Sequence, residues 1–379
     1  MTLNPPDPPH IVFLFSDTGG GHRSATEAII EALQLEFGDR ISTDMVDILK
    51  AYAPPPLNHM TTWYPQMARF TGLWKLGFRL TDGRRQTHLI TDTTWPVIRR
   101  SVRRLIAQNP CNLIVSVHPL ANTPVLRALG SKRPPFVTVV TDLVTTHAFW
   151  YDRRVDQCIV PTEAARQKAL QCNLEPDQVQ VVGLPVANRF CQPPGDRRAL
   201  RAQLGWPADL PVILLVGGGE GMGPLEENAA AIAEIGLPAA LVVVAGRNQK
   251  LRQRLEERDW SIPTFIYGFV RNMPDFMGAA DILVTKAGPG TITEALIAGL
   301  PMILYSRLPG QEEGNVTYIT SEGAGIWAPE SQQVVQALRQ YINQPEAREK
   351  AVQVCRRLAR PQSARQIAHL LACRAGLEP

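Results

Sequence analysis

Thr285-Lys-Ala-Gly-Pro-Gly-Thr-Ile-Thr-Glu294, with Pro309-Gly-Gln-Glu-Glu-Gly-Asn315 one strand further on, decides how this chain is read. An apolar strand, Asp281-Ile-Leu-Val-Thr285, runs into a turn with two glycines and a proline. The turn opens a helix reading Thr291-Ile-Thr-Glu-Ala-Leu-Ile-Ala298. Backbone N–H groups at such a turn, with the positive end of the helix dipole behind them, form a site for phosphate. The Gln/Glu/Asn cluster that follows supplies polar groups suited to a ribose. Together they predict the donor half of a nucleotide-sugar site, against the plainer reading of a turn that only packs helix on strand.

Outward from that stretch, short apolar runs alternate with helical patterns, which predicts an α/β fold with mostly parallel sheets. His10-Ile-Val-Phe-Leu-Phe15 reads as a strand, Asp17-Thr-Gly-Gly-Gly-His22 as a turn, and Ser24 to Glu36 as a helix. Leu113–Val117, Phe136–Thr141, Cys158–Val160 and Val179–Val182 read as further strands. After Cys191-Gln-Pro-Pro-Gly-Asp196, a linker by composition, the pattern restarts. Pro211–Val216 leads into Gly217-Gly-Gly-Glu-Gly-Met-Gly223, and Ala239–Val244, Thr264–Tyr267 and Pro301–Tyr305 follow as strands. Two units that each open with strand, triple glycine and helix predict two doubly wound domains facing across a cleft, with ligands at the carboxyl ends of the strands. The expected division is a disordered proline-rich tail at 1–9, a first domain at 10–192, a second at 196–345, and C-terminal helices at 346–379 packing back on the first.

At 379 residues, 45% hydrophobic and 20% charged, the chain is long enough for two ordinary globular domains. The net charge of +4 is mild. The six cysteines form no C-x-x-C pair, which argues for free thiols rather than a disulfide framework or structural metal. No metalloprotease motif, Walker loop or G-x-S-x-G elbow occurs, and Asp-x-Asp, which holds Mn²⁺ on a diphosphate in metal-dependent sugar transferases, is absent. No metal or other cofactor is therefore expected. G-x-G-x-x-G is met only loosely by Gly217, Gly219 and Gly223, so a nicotinamide nucleotide finds little support. No run approaches 18 apolar residues and no signal core precedes the first strand, so neither a membrane span nor a signal peptide is expected.

His22 closes the first glycine turn at the start of a helix, where an imidazole can take a proton from an alcohol. The helix N-terminus is expected to keep it neutral; the alternative is a surface histidine capping a turn. The glycines at 19–21 permit either close ligand approach or simply a tight turn. His118 and Asp142 end their strands where site residues are expected. His118 is open between a site role and ordinary loop chemistry, and Asp142 between assisting a base and capping a helix. Between Arg69 and Arg104 nine basic residues face only Asp82 and Asp92, among Trp63, Tyr64, Phe70, Trp74, Phe78 and Trp95 across 52–104. That mixture suits anionic membrane lipids or single-stranded nucleic acid, or is merely a helical subdomain with an aromatic core; membrane docking, without nucleic acid, is the favoured expectation.

Asp17-Thr-Gly-Gly-Gly-His-Arg-Ser24, Val139-Val-Thr-Asp-Leu143, Val182-Gly-Leu-Pro-Val186, Gly217–Gly223, Thr285–Thr291 and Pro309–Asn315 together resemble the monogalactosyldiacylglycerol synthases, related to the peptidoglycan GlcNAc transferase. The resemblance runs from about residue 11 to 330. It implies a GT-B fold of two Rossmann-like domains, with acceptor in the first and UDP-sugar in the second. It implies transfer of galactose from UDP-galactose to diacylglycerol, with inversion and without bound metal, by a peripheral protein on the cytoplasmic side of a membrane. By resemblance His22 is the base, with Asp142 beside it in the catalytic set. Gly288, Pro289, Gly290 and Thr291 match the diphosphate loop. Gln311 and Glu312 match the pair near sugar and ribose, with Glu312 expected on the ribose hydroxyls. Gly20, Gly21, Gly218, Gly219, Glu220 and Asn315 join the expected donor set, and Phe269 and Val270 are expected to offer backbone to uracil. Ala187 stands where the family often has arginine, and Arg189 is the candidate to replace it. Trp63, Trp74, Arg84, Arg85 and His118 are the expected acceptor and membrane residues. A UDP-glucose or UDP-GlcNAc donor, another lipid acceptor, and a soluble UDP-sugar epimerase or hydrolase remain alternatives.

Overall fold

The computed structural model describes residues 8–18, 20–55, 57–59, 71–193, 195–221, 223–234 and 236–377. Trp63 and the first seven residues of the proline-rich tail lie outside them. The chain divides into two compact units. The first comprises 1–188, 309–311 and 362–379; the second comprises 189–308 and 312–361.

In the first unit six parallel strands form one sheet: β1 (His10–Phe15), β2 (Ser42–Asp47), β3 (Leu113–Ser116), β4 (Phe136–Val139), β5 (Gln157–Val160) and β6 (Val179–Val181). Their order is β2-β1-β3-β4-β5-β6. Alternate residues serve opposite faces, as the period of two requires. Val12, Leu14 and Ile114 join one apolar core with Leu105 and Leu126, while Ile11, Phe13, Leu113 and Val115 join the other. The helix Gly21–Phe37 covers the second face with Ala25, Ala28, Ile29, Ala32 and Leu33, an i, i+3, i+4 stripe. Full burial of each large aliphatic side chain contributes about 1.5–3 kcal/mol.

The second unit repeats the plan with β7 (Val212–Val216), β8 (Ala240–Val244), β9 (Thr264–Tyr267), β10 (Ile282–Lys286), β11 (Met302–Ser306) and β12 (Gly325–Trp327). All pair in parallel, in the order β12-β11-β10-β7-β8-β9. Strand order reverses between β1 and β3 in one sheet and between β7 and β10 in the other. In open α/β sheets such reversals leave a crevice at the carboxyl ends of the two strands.

Two features differ from the sequence reading. β2 and β12 were not anticipated: β2, Ser-Thr-Asp-Met-Val-Asp, is a largely polar edge strand, and β12 has only three residues. The expected return of 346–379 to the first domain holds only for its last part. The helix Pro345–Leu358 belongs to the second unit, beside the helix Pro289–Ala298, with Ala351 in that unit's core. Only Ser363–Arg374 belongs to the first, where Ile367, Ala368 and Leu371 pack with Ile29, Ala32 and Leu33. The aromatic and basic region before residue 104 holds two helices, Thr71–Thr81 and Arg84–Gln108, in line with the helical-subdomain alternative.

Candidate active site

At the β1/β3 reversal, Gly20 caps the helix Gly21–Phe37 with φ +81°, a left-handed conformation open to glycine. Gly21 and His22 begin the first turn of that helix. His22 Nδ1 lies 2.8 Å from Thr141 Oγ1, just past the end of β4. The His22 ring sits 4.7 Å from that of His118, edge-on, and 5.8 Å from that of Trp150. Burial drives the His22 pKa down to about 4, against the opposing effect of a hydrogen bond to the Val117 backbone. Its neutrality thus comes chiefly from desolvation, where the sequence reading invoked the helix terminus.

His118 is buried, and burial holds its pKa well below the usual histidine value, with the neighbouring His22 adding to the effect. Its Nδ1 accepts from the Leu120 N–H at 3.3 Å, which leaves the proton of the neutral ring on Nε2, 3.3 Å from Thr18 Oγ1. Asp142 is also buried. Its Oδ2 accepts from Trp150 Nε1 at 2.7 Å and its Oδ1 from Gln311 Nε2 at 2.9 Å. Asp142 therefore fixes the indole that flanks His22, and the hydroxyl on His22 belongs to its neighbour Thr141. Gln311 falls in the first unit with Pro309 and Gly310.

At the β7/β10 reversal two glycine turns meet one lysine. β10 ends in Lys286, and Gly288 caps the helix Pro289–Ala298, with Pro289 in the first turn. Proline is favoured there because its missing N–H would have no intrahelical partner. The N–H groups of Gly290 and Thr291, in the same first turn, have no acceptor within the helix. Asn315 Nδ2 donates to Ala287 O at 2.9 Å and so holds the loop from behind, while Asn315 Oδ1 and Thr285 Oγ1 are buried without a hydrogen-bond partner. From the other side comes the turn after β7. Gly218 has φ +73°, and a Cβ there would lie 3.1 Å from Lys286 Cε. A Cβ on Gly288 would lie 3.3 Å from Lys286 Nζ. That amine is 3.4 Å from Glu312 Oε1, and Glu312 Oε2 accepts from the Leu308 N–H at 2.7 Å. Both oxygens of Glu312 thus have a partner inside the protein.

Beside β8 and β9 the same turn packs tightly. Arg247 N donates to Gly219 O at 2.9 Å, and Gly246, at φ +59°, leaves no room for a side chain against that carbonyl. The Arg247 guanidinium lies 4.6 Å from the centre of the Phe269 ring and pairs with Glu220 at 2.7 Å. Phe269 is 52% exposed, and Val270 is partly exposed next to it. On the helix Pro289–Ala298, burial raises the pKa of Glu294 to about 7, and the opposing charge is Arg189.

Trp74 is partly buried, and Arg84 and Arg85 are exposed at the start of the long helix. Leu76 and Leu80 on one helix, and Leu89 and Val97 on the next, are large apolar side chains open to solvent. Among the described residues no helix is long and apolar enough to cross a membrane, and no three His, Cys, Asp or Glu side chains gather as a metal site.

Thr141, Trp150, Lys286, Arg247 and Glu294 were not singled out from sequence. Thr141, Lys286 and Glu294 lie inside stretches that were, Thr141 two residues past β4 and Lys286 at the end of β10. Trp150 and Arg247 carry no local signal and reach the site only through the fold.

The profile described as monogalactosyldiacylglycerol (MGDG) synthase matches residues 22–186, and that of the glycosyltransferase family 28 C-terminal domain matches 212–371. The chain is 40% identical over 348 residues to a probable monogalactosyldiacylglycerol synthase 2 of Oryza sativa subsp. indica, covering 88% of this chain and 73% of the relative. It is 37% identical to monogalactosyldiacylglycerol synthase 1 of Arabidopsis thaliana, covering 96% and 70%. Both relatives are described as chloroplastic. Among solved structures, MurG of Acinetobacter baumannii superposes with a TM-score of 0.63 at 16% identity, covering 97% of this chain and 100% of that one. HepE of Anabaena with UDP-glucose gives 0.57 at 15% identity, covering 96% and 99%. These likenesses show the fold, that of the GT-B glycosyltransferases.

Proposed function

This chain belongs to the monogalactosyldiacylglycerol synthase family, and from that premise we propose that it transfers galactose from UDP-galactose to the free hydroxyl of 1,2-diacylglycerol, giving β-monogalactosyldiacylglycerol. The observation that carries the reading is His22: a neutral imidazole at the β1/β3 reversal, held by Thr141 and flanked by His118 and Trp150.

In the proposed step the hydroxyl proton passes to His22 as the acceptor oxygen bonds to the anomeric carbon. The bond from that carbon to the β-phosphate oxygen breaks with its electron pair, and UDP departs. One displacement inverts the configuration. The donor half of the work falls to the second unit, where the loop Gly288–Thr291 offers the N–H groups of Gly290 and Thr291 and a helix N-terminus to phosphate. Phe269 and Val270, at the end of β9, are candidates for the base. Asn315 supports the loop. No bound metal is invoked.

The lipid acceptor favours a protein that docks on a membrane surface, on the cytoplasmic side, without crossing it. Leu76, Leu80, Leu89 and Val97 stand exposed among Arg79, Arg84, Arg85, Arg99, Arg100, Arg103 and Arg104. Such mixed faces bind anionic head groups at about 1 kcal/mol per basic residue near the surface. Purified protein on diacylglycerol liposomes, offered UDP-galactose, tests the proposal. Formation of the galactolipid supports it, and UDP release without lipid product opposes it.

A further inference from the structure

Lys286 is a cation of the second unit held between two glycine turns, and the proposed mechanism gives it no task. It is the last residue of β10, at the reversal of strand order. Its stem passes over Gly218 and its amine over Gly288, at hypothetical Cβ distances of 3.1 and 3.3 Å. Both glycine turns of the unit are thus shaped around one side chain. Its carboxylate partner Glu312 is only 9% exposed, against 32% for the lysine, so the amine is the half of the pair that faces outward. Glu312 is held in turn by the Leu308 N–H. The amine lies next to the first turn of the helix Pro289–Ala298, whose N–H groups await an acceptor.

We propose that Lys286 is the counter-ion of the donor diphosphate, and that Glu312 is its positioning residue, holding the amine over the loop instead of binding ribose. This rests on reading the second unit as the nucleotide half-site. A diphosphate leaving group gains negative charge as the glycosidic bond breaks, and a fixed ammonium at the helix N-terminus meets that charge where a metal ion otherwise would. The two glycines are required because a side chain at either would displace the ammonium.

The test is calorimetric titration of the full-length protein with uridine, UMP and UDP, which needs neither sugar nor lipid and so stands apart from whether galactose is transferred. In the wild type each phosphate should strengthen binding. In Lys286→Met, UDP should weaken about tenfold to a hundredfold, the scale of a lost charge-assisted hydrogen bond, while uridine binds as before. Lys286→Arg should recover most of the loss. Lys286→Met combined with Glu312→Gln should stay weak, since the loss comes from the missing cation and not from an unpaired carboxylate repelling the ligand. Equal losses for uridine and UDP, UDP binding unchanged in Lys286→Met, or full recovery in the double variant would each overturn the proposal. A wild type that transfers no galactose yet binds UDP would count against the proposed reaction alone.

Discussion

His22 Nδ1 lies 2.8 Å from Thr141 Oγ1, so the proposed base is oriented by a hydroxyl and not by a carboxylate. Asp142, the adjacent residue, points its two oxygens at Trp150 and Gln311. A buried carboxylate on the imidazole would raise its pKa and hold the protonated form, whereas a hydroxyl leaves it to desolvation. Replacing His22 by Ala should lower kcat by about 10²–10⁴-fold, the usual contribution of a general base, with UDP affinity unchanged. Thr141→Val should lower kcat while leaving the KM for donor in place. Equal loss of kcat and UDP affinity in either variant would contradict this assignment.

The pH dependence follows from the same group. With its pKa lowered to about 4, His22 stays unprotonated through the mildly acidic range, so its protonation should not depress kcat/KM until pH approaches 4. Stability should behave differently. Below the unfolded value of 6.5 the unfolded chain takes a proton that folded His22 refuses, and the difference is complete at the folded value. Stability supported by neutral His22 is therefore present above pH 6.5 and lost as pH falls towards 4. His118 and His147, both lowered by burial, act in the same direction. Urea midpoints should fall from pH 7 to pH 5, and fall less in His22→Gln.

Glu294 carries the opposite sign. Its folded pKa is raised to about 7 from 4.5, so the native state holds a proton that the unfolded chain has released. Its contribution is present below 4.5 and disappears as pH rises through 7. In Glu294→Gln the change in midpoint from pH 5 to pH 8 should be more positive than in the wild type, which urea unfolding at the two pH values measures.

Gly288 has φ −68° and ψ 135°, a conformation open to any residue, so Gly288→Ala should fold with its thermal midpoint little changed. The new methyl group would stand 3.3 Å from Lys286 Nζ. UDP affinity should drop in calorimetry while the circular dichroism spectrum stays the same.

Leu76→Ser combined with Leu80→Ser should reduce co-sedimentation with liposomes containing anionic lipid, and replacing Arg99 and Arg100 by Gln should make the remaining binding less sensitive to salt. UDP affinity should be unaffected in both, because these helices belong to the first unit.

The two doubly wound sheets could be read from sequence because most of their buried strands are continuous apolar runs, and β1, β7 and β10 lead into glycine turns. Gly20 and Gly288 could be read as strand-to-helix turns, since tight turns favour glycine at fixed places. β2 escaped because an edge strand with one wet face carries little apolar signal. The pairing of Glu312 with Lys286 and of Asp142 with Gln311 escaped because contacts across 26 and 169 residues are set by the fold and leave no local pattern. The neutral state of His22 was foreseen, but its main cause, burial beside His118 and Trp150, depends on residues far along the chain.

The most direct measurement of the central claim is anomeric NMR and mass spectrometry of the lipid formed when purified protein meets diacylglycerol liposomes and UDP-galactose, with UDP-glucose offered in parallel. A β-linked galactosyl diacylglycerol, formed from UDP-galactose in preference to UDP-glucose and lost in His22→Ala, is the predicted result. An α-linked product, a preference for glucose, or full turnover in His22→Ala would contradict it.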